Sequence, residues 1–145
     1  MRRSAKAVWN GTGLEGSGNL TTPSGALNAQ PYSTKMRFQS EDGRAGTNPE
    51  ELVAAAHAGC FAMALSFQLT GAGFPPDELA VSSVITMEQQ GVDWSMTGIV
   101  LQLDAKVPGI SEEKFNELAN NAKVGCPISK ALSAVPITLE SKLHG

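Results

Sequence analysis

Hydrophobic and polar positions alternate along four stretches of the chain and break that alternation in three others. Near the N-terminus Ala5, Ala7 and Trp9 flank Lys6, the pattern of a short strand. Gly11, Gly13, Gly16 and Gly18 follow and read as hairpin or loop glycines. They lack the Lys-Ser/Thr and the strand–helix setting of a phosphate loop. In Thr34-Lys35-Met36-Arg37-Phe38-Gln39, Met36 and Phe38 alternate with Lys35 and Arg37, so a strand is expected with Arg37 on the face opposite the apolar pair. Residues 80–88 are expected to form another strand. Ile99, Leu101, Leu103, Ala105 and Val107 then alternate with Val100, Gln102, Asp104 and Lys106, and Ile137, Leu139, Ser141 and Leu143 with Thr138, Glu140 and Lys142. Both patterns predict half-buried strands.

The helical segments announce themselves by their ends. Asn48 can cap, Pro49 suits the first helical position, and Glu50 and Glu51 favour the positive end of the helix dipole. The helix should run to about Thr70, with Gly71 and Gly73 beyond it. It is apolar on nearly all sides and is expected inside, and its alanines permit close approach by another helix. Ser111 should cap a second helix carrying Phe115, Leu118, Ala119 and Ala122 on one stripe. Cys126 before Pro127 must break it, because a residue preceding proline avoids the helical region. A short helix restarting at Pro127 would carry Ile128, Ala131 and Leu132. Strands, helix, strands, helices and strand indicate an α+β fold with antiparallel sheet.

Composition narrows the function. The 145 residues suit a single domain, 1–145, and 41% hydrophobic with 17% charged residues is a globular balance. No Lys or Arg occurs between Arg44 and Lys106, whereas Glu50, Glu51, Asp77, Glu78, Glu88, Asp93 and Asp104 do. With no basic stripe to neutralise phosphates, nucleic acid is not an expected partner. Arg2-Arg3 is not followed by an apolar signal-peptide core. The apolar stretch from Leu52 to Leu69 holds His57, Ser66 and Gln68 and reads as a buried helix rather than a membrane span. A soluble, cytoplasmic protein is expected.

The candidate chemistry rests on two cysteines, too few for a secreted disulfide scaffold. Cys60 lies mid-helix with no Lys or Arg within 15 residues on either side. Its own surroundings suit an inert buried thiol, and a reactive one would need a cation from Arg37, Arg44, the second half or another subunit. Cys126, ahead of the helix beginning at Pro127, stands where a thiol pKa is depressed, although a packing role at a kink is equally open. Whether the pair meets depends on the fold. His57, one turn before Cys60, suits a packed histidine. No second ligand lies nearby to complete a metal site, since His144 is in the tail, and no serine-hydrolase elbow is present.

The run Asn48-Pro49-Glu50-Glu51-Leu52-Val53-Ala54-Ala55-Ala56-His57-Ala58-Gly59-Cys60-Phe61 resembles the helix signature of the OsmC/Ohr family of thiol-dependent hydroperoxide reductases. Leu27-Asn28-Ala29-Gln30-Pro31-Tyr32, Met36-Arg37-Phe38 and Val124-Gly125-Cys126-Pro127 resemble it as well, in order and spacing. The Ala56-to-Cys60 run and the Arg37 segment resemble the osmotically inducible protein C branch. In the organic hydroperoxide resistance branch a Tyr usually replaces His57, which weighs against His57 as an essential base.

The resemblance implies that Cys60 is the peroxidatic thiolate and Cys126 the resolving thiol, with a Cys60–Cys126 disulfide as the oxidised product. Arg37 would hold the Cys60 thiolate and Glu50 would orient Arg37, Arg44 being a nearby alternative. It further implies antiparallel sheets wrapped around central helices in an intertwined homodimer, no metal or other cofactor, and a role in oxidative or osmotic stress defence. The reductant would be an external dithiol, a lipoyl protein with thioredoxin or small thiols as alternatives. Glu50 and Cys60 are ten residues apart on one helix, about 15 Å along its axis. A site at a dimer interface is therefore expected, with Glu50 and Arg37 facing the partner's Cys60. Phe61, Met63, Phe67 and Phe74 suggest an apolar pocket favouring organic hydroperoxides over hydrogen peroxide. A non-enzymatic ligand-binding or redox-sensing protein on the same scaffold, or a structural dimer with packed cysteines, are the rival readings.

Overall fold

A computed structural model describes all residues, 1–145. The chain folds as two compact units, Met1–Leu52 and Val53–Gly145.

The first unit is a three-stranded antiparallel sheet with a short helix. Strands β1 (Lys6–Asn10), β2 (Ser17–Thr21) and β3 (Gln30–Ser33) lie in that order, with Trp9 opposite Gly18 and Gly18 opposite Tyr32. The glycines do serve a hairpin. Gly18 has no alternative there, because a Cβ would lie 2.1 Å from the Val8 carbonyl oxygen and 2.9 Å from the Tyr32 ring. Removing that side chain lets the Trp9 and Tyr32 rings meet, centroids 5.3 Å apart.

The expected strand at residues 34–39 is instead helix α1 (Thr34–Phe38). Ser33, extended at φ −157°, ends β3 and caps α1 by accepting a hydrogen bond from the Met36 N–H. Over five residues, alternation fits a strand and one helical turn equally well, and the cap decides between them.

Helix α2 (Pro49–Gly71) begins as its sequence predicts, Asn48 Oδ1 accepting from the Glu51 N–H at 2.8 Å. It is long and apolar enough, by length and composition, to cross a membrane. The expectation that it lies wholly inside needs correction. It buries one stripe, His57, Phe61, Leu65 and Leu69, at the four-residue spacing of a single face. Met63 and Phe67 are 65% and 77% exposed on another face. A two-layer core covers one side of a helix, and the sequence gives α2 apolar residues on more sides than one layer can cover.

The second unit takes up the buried stripe. Strands β4 (Glu78–Gln90) and β5 (Asp93–Lys106) form a long antiparallel hairpin, and β6 (Ile137–His144) pairs with the other side of β5. The β5–β6 pairing is parallel, so this sheet is mixed rather than wholly antiparallel. The chain between them passes through α3 (Glu112–Gly125) and α4 (Pro127–Ala131), and such a crossover returns the next strand in the same direction. Leu101, Leu103, Ala105 and Val107 join Phe61, Leu65 and Leu69 of α2 and Phe115, Leu118, Ala119 and Ala122 of α3 in one core. Phe61, Leu65 and Leu69 are fully buried, each contributing about 1.5–3 kcal/mol by removal from water. Cys126 belongs to the same core.

Candidate active site

Cys126 sits at the junction of α3 and α4, and the backbone fixes it from both sides. Its N–H donates to the Ala122 carbonyl at 2.9 Å, closing α3, and its own carbonyl accepts from Lys130 at 3.0 Å, opening α4. Its φ and ψ of −58° and 125° are the extended values a residue before proline requires. The side chain is wholly buried.

Cys60 comes from α2, one residue before Phe61, and is half-buried. The two sulfurs, 66 residues apart in sequence, share a hydrogen bond at 2.8 Å, and both thiols are free. A disulfide bond is about 2.05 Å long, so a small movement joins them.

The pair shares its protons unequally. Burial pushes the Cys126 thiol up, but Cys60 and the polar groups of Ser129 and Ile128 at the start of α4 favour its thiolate and outweigh burial, and the net shift is downward. Burial pushes Cys60 up, its hydrogen bond to Cys126 adds to the rise, and one N–H, that of Ile128, opposes it. The first proton therefore leaves Cys126, and the Cys60 S–H donates to it. This agrees with a depressed Cys126 pKa. It also means that, within residues 53–145, the effects that raise the Cys60 pKa outweigh the one that lowers it.

His57 is a packed residue, fully buried, with Nε2 2.8 Å from Ser129 Oγ. Burial holds its pKa below the ordinary histidine value. Its hydrogen bond is with Ser129 and not with Cys60. Ser129 is a site residue that the sequence alone did not suggest, although a hydroxyl two residues after Cys-Pro was a signal.

In the first unit the structure joins the other two candidates. Arg37 Nε lies 3.2 and 3.1 Å from the two Glu50 oxygens and Nη2 lies 2.5 Å from Oε1. This two-pronged grip is the geometry in which a guanidinium is best held by a carboxylate. The Glu50 side chain is 15% exposed and that of Arg37 36%. Arg37 also stacks on Phe38, 4.7 Å from its centroid, and lines a small recess of about 60 Å³ with Trp9, Tyr32 and Pro49. Arg44 is exposed and lines a different recess with Thr47 and Glu51.

Of the aromatic residues expected to line a pocket, Phe61 is in the core and Phe74 packs against it. Met63 and Phe67 remain at the surface. A shallow recess of about 550 Å³ on the polar side of the second sheet, between Ser82, Gln102, Asp104 and Glu140, holds neither thiol. No group of three or more His, Cys, Asp or Glu side chains is arranged to hold a metal.

Residues 40–140 match the OsmC-like protein family. The chain is 41% identical to Peroxiredoxin OsmC of Escherichia coli (strain K12), covering 99% of this chain and 97% of that one. It is 32% identical to the organic hydroperoxide resistance protein OhrB of Bacillus subtilis (strain 168), over 86% and 89%. The OsmC-like protein of Mycoplasma pneumoniae superposes with a TM-score of 0.77 over 100% of this chain and 99% of the other, and at 14% identity that is a likeness of fold alone. The crystal structure of Bacillus subtilis OhrB superposes with a TM-score of 0.70 at 27% identity, covering 96% and 98%. The chain belongs to the OsmC-like family.

Proposed function

We propose that this chain is a thiol-dependent peroxidase that reduces organic hydroperoxides, and hydrogen peroxide less well, in oxidative or osmotic stress defence. The observation that carries the reading is the pair of free thiols, their sulfurs 2.8 Å apart across 66 residues of sequence. Inert packing does not require two thiols to meet, whereas a resolving thiol must reach the sulfenic acid it attacks. A relative named peroxiredoxin at 41% identity over nearly the whole chain supports it, as does one named for organic hydroperoxide resistance. That coverage also supports taking residues 1–145 as a single OsmC-like domain.

In the first step the Cys60 thiolate attacks the distal peroxide oxygen, the O–O bond breaks, and the alcohol leaves as it takes up a proton. Cys60 is then a sulfenic acid. Cys126 attacks that sulfur, the S–O bond breaks, and water departs as the Cys60–Cys126 disulfide forms. An external dithiol, a lipoyl protein, thioredoxin or a small thiol, restores both thiols by exchange. No cofactor takes part.

Cys60 needs a cation that its own unit does not supply, because burial and Cys126 both raise its pKa. Arg37 is the candidate, held by Glu50. Glu50 and Cys60 are ten residues apart on α2, about 15 Å along the axis. We therefore assign Arg37 and Glu50 to Cys60 of the partner subunit in an intertwined homodimer, so that each site draws on both chains. The exposed Met63 and Phe67 of α2 supply apolar surface for that interface and for the substrate. Arg37 brings the Trp9–Tyr32 pair with it as an apolar wall, which suits a bulky hydroperoxide. A soluble, cytoplasmic dimer with no nucleic-acid or membrane partner completes the reading.

Mixing two inactive variants tests the assignment. Arg37→Met and Cys60→Ser homodimers should each lack turnover of cumene hydroperoxide with dithiothreitol. Unfolded and refolded together in equal amounts, half the dimers are mixed and each has one intact site. About a quarter of wild-type activity should return. If Arg37 serves the thiol of its own chain, mixing restores nothing.

A further inference from the structure

His57 is fully buried, makes one polar contact, and has no part in the steps above. Burial keeps its imidazole neutral near pH 7, so the ring carries one N–H and one lone pair. Nε2 is 2.8 Å from Ser129 Oγ, and Nδ1 has no partner in the protein. A buried N–H without an acceptor is rarer and costlier than a lone pair without a donor. The proton therefore sits on Nε2, which donates to Ser129 Oγ. With its oxygen engaged as an acceptor, the Ser129 hydroxyl has its own hydrogen to give, and Ser129 stands three residues after Cys126 in the turn that the Lys130 N–H closes on the Cys126 carbonyl, the spacing at which side chains of one helical turn are neighbours. His57 precedes Cys60 by three residues on α2, one turn. The helix that carries one thiol thus orients the hydroxyl that serves the other.

We propose that His57 is a positioning residue for Cys126, acting through Ser129. By donating to the Ser129 oxygen it fixes that hydroxyl's hydrogen on the Cys126 sulfur and holds Cys126 as a thiolate aimed at Cys60. The inference rests on the resolving role assigned to Cys126. In that step the Cys126 sulfur supplies the electron pair of the new S–S bond and is oxidised, while the sulfenic sulfur of Cys60 is reduced. The S–O bond breaks and the departing hydroxide is protonated to water, and Ser129 keeps its hydrogen throughout. When an external thiolate later attacks Cys60, the same hydrogen bond stabilises Cys126 as the leaving group. The titratable group that meets Cys126 is Cys60, and His57 meets Ser129, three residues further along; both Cys60 and His57 are on α2. Lys123 of α3 and Lys130 of α4 border the cavity that Ser129 lines, and β5 and β6 contribute apolar side chains to the core around it.

The test is a titration of Cys126 in a Cys60→Ser background, where one thiol remains and its ultraviolet thiolate absorbance reports its ionisation. Ser129→Ala should raise the midpoint by about one to two pH units, the effect of one hydrogen bond to a charged group. His57→Leu should raise it in the same direction, and His57→Gln, which keeps an N–H, should return it towards the parent value. A histidine that merely fills space would lower thermal stability in both His57 variants and leave the midpoint where it was. That result overturns the proposal, and so does a midpoint that Ser129→Ala does not move. If His57→Leu does not fold, His57→Gln and His57→Ala carry the same comparison. Disulfide formation in otherwise wild-type protein is followed in parallel. An unmoved midpoint with normal disulfide formation removes the positioning role alone. A shifted midpoint with no disulfide removes the peroxidase reading, and the proposal with it.

Discussion

Joining Cys60 to Cys126 should stabilise the folded chain by an amount set by how far apart they stand in sequence. The perturbation is one equivalent of cumene hydroperoxide added to the reduced protein. The bond closes a loop of 66 residues, and loss of that loop's freedom in the unfolded chain is worth about 4 kcal/mol. Against this, oxidation abolishes the Cys126 thiolate and the stabilisation that Ser129 and Ile128 give it, a loss of about 1–2 kcal/mol. The sulfurs start 2.8 Å apart, so little backbone movement offsets the gain. The net is about 2–3 kcal/mol, and for a chain of this size Tm should rise by about 5–10 °C. Thermal unfolding by circular dichroism, before and after oxidation, reads the shift. Urea unfolding should show a smaller m-value, because the cross-linked unfolded chain is more compact. Cys126→Ser, which stops at the sulfenic acid, should gain none of this. An oxidised protein with the disulfide verified by mass and a Tm equal to or below that of the reduced form would refute the reasoning. The bond would then form only by distorting the fold that places the two thiols together.

Three further outcomes follow from named contacts. His57 is held neutral by burial, whereas in the unfolded chain it gains a proton near pH 6.5; stability should be full above that pH and fall as pH drops, by at most about 1.4 kcal/mol per unit. Urea midpoints at several pH values should show that dependence in wild type and lose it in His57→Gln, and equal slopes would contradict it. Glu50→Gln removes the carboxylate that grips Arg37 at three contacts, and stopped-flow oxidation of Cys60 should slow by about tenfold or more as the guanidinium loses its orientation. Phe61→Ala empties a fully buried site in the core and should cost about 3–5 kcal/mol in urea unfolding.

Much of this was legible wherever a local rule sufficed. Asn48, Pro49 and Glu51 mark the start of α2 because capping involves residues three apart, and the structure shows the bond they imply. The β5 alternation and the break before Pro127 are equally local. The α1 segment was misread because five residues of alternating Met36, Arg37 and Phe38 satisfy two geometries, and the deciding contact comes from Ser33, just outside. The direction of β6 depends on where a crossover of two helices returns the chain, which no window of residues encodes. Arg37 and Glu50 came from resemblance, and the structure pairs them in a salt bridge. Ser129 was missed because its partner His57 is 72 residues away in sequence. The exposed Met63 and Phe67 show that an all-round apolar helix states how much surface wants covering, not what covers it.

The central claim is that Cys60 is oxidised first and Cys126 resolves it. Mass spectrometry of the reduced protein after one equivalent of cumene hydroperoxide, with a sulfenic-acid trap, addresses it directly. Wild type should give an intramolecular Cys60–Cys126 disulfide, Cys126→Ser a trapped sulfenic acid at Cys60, and Cys60→Ser an unoxidised Cys126. Thiols that stay reduced in the folded wild-type protein, or a sulfenic acid that forms first at Cys126, would contradict the account.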